Sequence, residues 1–308
     1  MSKNYLKSVF TGLDGCKAWT LQLVKMSLSK RAGTSYVCRE VDISPSDRLF
    51  NLICTIKEKY GIGDVIDEYS SVDMYTGDVL NNVIYKIDGT SKLIKRELES
   101  LIEATSNPDK EIEISKFKPN ALILKGYVKL DGDNVQVLLV SMQKPVTTLT
   151  NKYMWISTNK FKEIKEPVLS VRDVIDVAII GNKVYLFNLS GEKLFNMERT
   201  YRAVAEEHIN DIAASGLLSN VNKFREVAST GRNPRRFVAY NDEHFKWLED
   251  LENRKRVAKK LGIKMKKNRI DTDDKSSTEK LIKFLCNKAM IDPCNENPVE
   301  VAAAKPWS

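Results

Sequence analysis

Nine basic residues and no acid lie between Arg254 and Arg269: Arg254, Lys255, Arg256, Lys259, Lys260, Lys264, Lys266, Lys267 and Arg269. Upstream, Gly231-Arg232-Asn233-Pro234-Arg235-Arg236 sets three more guanidiniums, Arg232, Arg235 and Arg236, on a stretch that reads as a turn. Such groups recognise phosphate: lysine as a point charge, arginine as a planar fork that can take two oxygens. On a helix, Lys255 and Lys259 are four apart, as are Arg256 and Lys260, so they form two adjacent basic rows. Like-charge pairs at that spacing oppose the helix by about 0.2–0.5 kcal/mol each. A solvated face ordinarily intersperses Glu, and none follows Glu252 in this run. Gly262 breaks the helix, leaving Lys264, Lys266, Lys267 and Arg269 beyond it. Phe237 and Tyr240 follow the arginine turn, where they either stack on bases or are buried.

The placement of charge matters more than its total. The chain carries 49 Lys/Arg and 41 Asp/Glu, a formal charge of +8. Residues 221–288 hold nineteen Lys/Arg against ten Asp/Glu, so the rest of the chain is close to neutral. An excess confined to one segment is the footprint of a polyanion-binding surface. No recognition-helix pattern, zinc finger or RNP-type aromatic motif accompanies it, which favours sequence-independent contact with the phosphate backbone.

Other chemistry finds weaker support. There is no GxxxxGK[ST] phosphate loop and no GxSxG elbow, and Gly61-Ile62-Gly63 lacks the third glycine of a dinucleotide fingerprint. Asp131-Gly132-Asp133-Asn134 carries carboxylates but lacks a twelve-residue calcium loop, and reads as a turn. A metal-dependent nuclease would pair Pro108-Asp109 with Glu163-Ile164-Lys165; these sit more than fifty residues apart, in polar stretches. His208 lies on the apolar side of a helix and reads as a packed histidine, and His244 has no nucleophile near it. Five cysteines, Cys16, Cys38, Cys54, Cys286 and Cys294, form no CxxC pair and read as buried free thiols in a reducing compartment. No metal and no cofactor is expected.

The elements that must position the basic groups follow from periodicity. Tyr36–Ile43 alternates as a strand, and a helix capped at Ser44 with Pro45 in its first turn carries Phe50, Ile53, Ile56 and Tyr60. A second helix spans about 91–105, ended by Asn107-Pro108. Strands at 121–130 and 135–142 flank Asp131–Asn134; strands at 177–180 and 183–187 flank Gly181-Asn182. A long helix is predicted over 197–215, another over 242–261, and a capping box at Ser276/Glu279 opens a third. The fold class is α+β: a mixed N-terminal domain, 1–115, then a domain, 116–308, of antiparallel meander packed with long helices and ending in the basic helical part. No run of eighteen apolar residues occurs and the N-terminus is too polar for a secretory signal, so a cytoplasmic protein is expected.

The run from Val177 to Ile212, VAIIGNKVYLFNLSGEKLFNMERTYRAVAEEHINDI, resembles KwaB, the soluble partner in the bacterial Kiwa anti-phage defence system. The likeness lies in the paired apolar strands, Leu194-Phe195 before a long helix, and the arginine-rich turn before another basic helix. The hairpin from Ala121 to Met142 fits too. It covers roughly 120–290; the first hundred residues match in length and layout only. The resemblance implies a DNA-binding effector, not an enzyme, that works with a small membrane protein, KwaA, and impedes phage DNA replication or expression. It implies peripheral recruitment to the inner membrane through that partner. No catalytic motif carries over, and the residues transferred are the twelve basic ones named above. A homodimer would double the basic surface. Two other classes remain open: the metal-dependent nuclease, and a scaffold whose basic surface meets acidic lipid or an acidic protein.

Overall fold

A computed structural model describes residues 3–16, 18–29, 33–43, 47–77, 82–110, 117, 119–130, 132–143, 153–157, 160–164, 171–291 and 298–300. The chain divides into two compact units, Met1–Met74 with Asn82–Asn196, and Tyr75–Asn81 with Met197–Ser308. The fold is α+β.

The first unit contains helices α1 (Lys3–Thr11), α2 (Asp47–Ile56), α3 (Val65–Glu68) and α4 (Lys95–Ser106). Its strands are β1 (Thr20–Ser29), β2 (Gly33–Val41), β3 (Ser71–Met74), β4 (Val83–Asp88), β5 (Ala121–Leu130), β6 (Asp133–Met142), β7 (Tyr153–Ser157), β8 (Lys160–Ile164), β9 (Val177–Ile180) and β10 (Lys183–Leu186). Among the described residues eight of them form one sheet in the order β2-β1-β5-β6-β9-β10-β4-β3, while β7 and β8 form a separate ribbon. Every neighbouring pair in the large sheet is antiparallel except β3 and β4. Alternate side chains, Leu21, Leu23, Leu122, Leu124, Val137 and Leu139, line one face against Leu6, Val9 and Phe10 of α1 and Ile53 and Ile56 of α2. Central β9 is buried on both faces, so its four residues, Val-Ala-Ile-Ile, are uniformly apolar.

The hairpin pairs expected at 121–142 and 177–187 are present, with Gly132 at φ 96 and Gly181 at φ 56 supplying the turns. Helix α2 begins at Asp47, and its predicted Ser44 cap lies outside the described residues. It runs into a single π-helical turn, Lys57–Ile62. The junction expected at 115/116 falls inside the first unit, because β1 and β5 pair across it from Thr20↔Lys125 to Val24↔Ala121.

The second unit holds α5 (Met197–Ala214), α6 (Val221–Ala228), α7 (Asn233–Arg236), α8 (Asp242–Trp247), α9 (Leu251–Leu261), β11 (Met265–Lys266), β12 (Arg269–Ile270), α10 (Lys275–Leu285), β13 (Ala289–Ile291) and β14 (Pro298–Glu300). Its core gathers Ala205, Ile209 and Ile212 of α5, Phe224 of α6, Val257, Ala258 and Leu261 of α9, and Leu281, Ile282 and Leu285 of α10. The single helix predicted over 242–261 is two helices. Asp250 is extended and its carboxylate accepts the Asn253 N–H at 2.8 Å, capping a new helix. The cap of α10 is likewise Asp274, which accepts from Ser277 N–H at 2.8 Å, two residues before the expected Ser276.

Candidate nucleic-acid interface

The basic segment is built on α9 and the hairpin after it. Helix α9 turns Val257, Ala258 and Leu261 into the core. With 3.6 residues per turn, Lys255, Arg256, Lys259 and Lys260 then fall together on the opposite side. Lys255, Arg256 and Lys259 are exposed and Lys260 is half-buried. Lys255 pairs with Glu252 at 2.7 Å. Among the described residues Arg256 and Lys259 make no ion pair or side-chain hydrogen bond. Lys259 and Lys260 also sit in the last turn, where cations complement the helix dipole.

Gly262 stops the helix as predicted, at φ 62 with its N–H bonded to Ala258 and Lys259 carbonyls. Beyond it the chain forms a tight hairpin. Met265 faces Ile270 and Lys266 faces Arg269. Lys267 and Asn268, at φ 47 and 65, form the turn. Lys264, Lys266, Lys267 and Arg269 are all exposed. Lys266 is bound by Asp271, at 3.1 Å, and by Asp273. These two carboxylates hold the Lys266 ammonium above its ordinary range, Asp273 foremost, while Lys266 lowers Asp273. Lys264, Lys267 and Arg269 have no such partner among the described residues.

Arg254 differs from its neighbours. It lies in phase with Val257, Ala258 and Leu261, and its guanidinium is spent on backbone. Nε donates to Leu248 O at 2.8 Å, Nη2 to Glu249 O at 2.9 Å and Nη1 to Asn268 O at 2.7 Å. One side chain thus joins the end of α8, the start of α9 and the hairpin turn. By charge alone Arg254 belongs among the contact residues; its geometry makes it the brace between the two pieces that carry them.

The arginine-rich turn is a one-turn helix, α7, with Pro234 early in it. Asn233 is buried and donates from Nδ2 to Val227 O at 2.8 Å. Arg236 bonds back to Asn233 Oδ1. Arg235 lies 5.4 Å from the Tyr201 ring centroid, a cation–π contact. Arg232 alone of the three is exposed. Gly77, at φ 78, packs so closely on the Arg235 carbonyl that a Cβ would fall 2.3 Å from it. Phe237 is buried and Tyr240 stacks on His208 at 4.0 Å, so both rings serve packing rather than bases. Burial pushes the Tyr240 phenol up. His244 contacts the Phe284 carbonyl at 2.9 Å and stacks on its ring at 4.8 Å.

The pair weighed for a nuclease is not assembled within the described residues. Asp109 is exposed and its N–H bonds Cys38 O at 2.8 Å, while Lys165 and the Glu163 side chain lie outside them. Among the described residues no three His, Cys, Asp or Glu converge on a metal-sized site. Nor is any described helix long and apolar enough to cross a membrane.

Compared with protein-family models, residues 124–292 match the one described as Kiwa protein KwaB-like. No curated protein and no solved structure matches the chain. The matched span takes in strands β6, β9 and β10, and with them the arginine turn, α9 and the basic hairpin.

Proposed function

The chain belongs to the KwaB-like family and is a component of Kiwa anti-phage defence; on that premise we propose that it acts by binding double-stranded DNA without reading its sequence. The observation that carries this is the exposed row of α9, Lys255, Arg256 and Lys259, together with the exposed Lys264, Lys267 and Arg269 of the next segment. Among the described residues Lys255 alone of these six pairs with a carboxylate, Glu252, while Lys266 beside them is held by Asp271 and Asp273. Five of these six cations have no carboxylate partner among the described residues, and their mutual repulsion is what a polyanion relieves. Arg232, just before α7, is a further exposed cation. The row offers no constellation of base-reading side chains, so contact is to phosphate, which fixes position and carries no sequence information.

In this reading the protein is a binding effector and not an enzyme. It impedes replication or expression of phage DNA by occupying it, is recruited to the inner membrane by a KwaA-like subunit, and doubles its basic surface as a homodimer. The test is an electrophoretic shift with unrelated duplexes at several salt concentrations. With about six phosphates neutralised, log K falls against log[salt] with a slope of about −5. A flat salt dependence sinks the reading. Incubation with Mg²⁺ or Mn²⁺ leaves the DNA intact; cleavage would point to the nuclease instead.

A further inference from the structure

The hairpin β11–β12 is anchored at its root and at its turn, and still presents exposed cations at its end. Ile270 is buried; its N–H bonds Leu217 O at 2.8 Å, and its carbonyl accepts from Ser219 N–H at 2.9 Å. Met265, opposite it, packs on the same core. Lys266 is held by Asp271 and Asp273, and Arg254 grips the turn at Asn268 O. Alongside these anchors Lys267, in the turn, and Arg269, opposite Lys266, are exposed and without an ionic partner among the described residues. Both turn residues have positive φ, the geometry of a type I′ turn, in which Asn-Gly is the usual pair. A lysine in that region costs about 1–2 kcal/mol, so the anchors hold a tip the local sequence would not choose. The result is a ribbon about 5 Å between strands with a cation at its end.

We propose that this tip enters the minor groove of duplex DNA while α9 tracks the phosphates, so that binding favours narrow-grooved A·T tracts. A groove about 6 Å wide excludes a helix but admits extended cationic side chains. Its negative potential is strongest where it is narrowest, in A-tracts. Phosphate contacts from Arg256 and Lys259 are indifferent to sequence, and the tip adds a response to groove width. This inference rests on the duplex-DNA reading above and adds a shape preference to it.

The experiment compares two duplexes of equal length, one A-tract-rich and one G·C-rich, at a single salt concentration. The wild type should hold the A-tract duplex roughly fivefold more tightly. Netropsin, which fills the A·T minor groove, should erase that advantage. The double variant Lys267→Ala/Arg269→Ala should bind both duplexes equally and, with two of the six cations gone, each more weakly than wild type binds the G·C duplex; a melting curve matching wild type shows that it is folded. Equal wild-type affinity for the two duplexes, or a preference that survives in the variant, overturns the tip's role and leaves phosphate binding standing. Failure of the wild type to bind either duplex overturns both.

Discussion

The Arg254 guanidinium donates to the Asn268 carbonyl at 2.7 Å, tying helix α9 to the turn of a hairpin fourteen residues further on. Its other nitrogens close on Leu248 and Glu249 carbonyls. A residue that looks like the first cation of a binding surface therefore sets the geometry of the cations after it. Replacing it separates positioning from contact.

Arg254→Ala leaves three carbonyls without their donor and should destabilise the second unit by about 2 kcal/mol. Arg254→Lys recovers only part of this, since an ammonium cannot reproduce the planar fork that reaches three acceptors. Urea denaturation measures both. A variant as stable as wild type would show that the brace is not needed.

Charge at the outer row has the opposite signature. Arg256→Ala with Lys259→Ala removes two exposed cations that touch no described acid, so stability should stay within about 0.5 kcal/mol of wild type. Duplex affinity should drop, and the salt slope should become shallower by about two, one for each phosphate no longer neutralised. An unchanged slope would place the DNA contact elsewhere on the protein.

The role of Arg254 was present in the sequence as phase. Residues 254, 257, 258 and 261 follow helical spacing, so a cation at 254 shares the stripe of Val257, Ala258 and Leu261. Grouping it by charge hides that. The hairpin hid for a different reason: Lys267-Asn268 carries no glycine, and its turn is imposed by contacts at Ile270, Asp271 and Arg254 rather than by local preference. Strands β5, β6, β9 and β10 were legible because their turns are two residues long and their partners adjacent. The β1–β5 pairing was not, since it joins segments about a hundred residues apart and depends on the whole sheet. With the β4–β10 pairing it joins both sides of 115 in one unit, whose last residue is Asn196.

Within the sheet, Gly126 of β5 lies under the Trp19 indole, where an added Cβ would sit 2.6 Å from Cδ2 and Cε3. The indole has little room to retreat, because its Nε1 donates to the Leu13 carbonyl at 3.0 Å. Gly126→Ala should destabilise the first unit by about 1–3 kcal/mol through overpacking. A melting curve superimposable on wild type would mean that the sheet can shift to accept the methyl.

The thiols give a prediction in pH. Cys38 and Cys286 are 1% and 0% exposed, and burial pushes each thiol from its ordinary value of 9.0 up to about 12. The thiolate is the reactive form, so neither should label with a disulfide reagent at pH 8 in the folded protein, whereas half-buried Cys54 should label ahead of both; Cys294 lies outside the described residues. Both buried thiols should react once the chain unfolds, which peptide mapping by mass spectrometry resolves site by site. Because the folded state holds these protons more tightly than the unfolded one, their contribution to stability is complete below pH 9. It is lost as pH rises from 9 towards 12. Cys38→Ala or Cys286→Ala removes one titrating group, so stability should fall less steeply across that window than in wild type. An unchanged slope from pH 9 to 11 in both variants would show that the buried thiols do not titrate on unfolding.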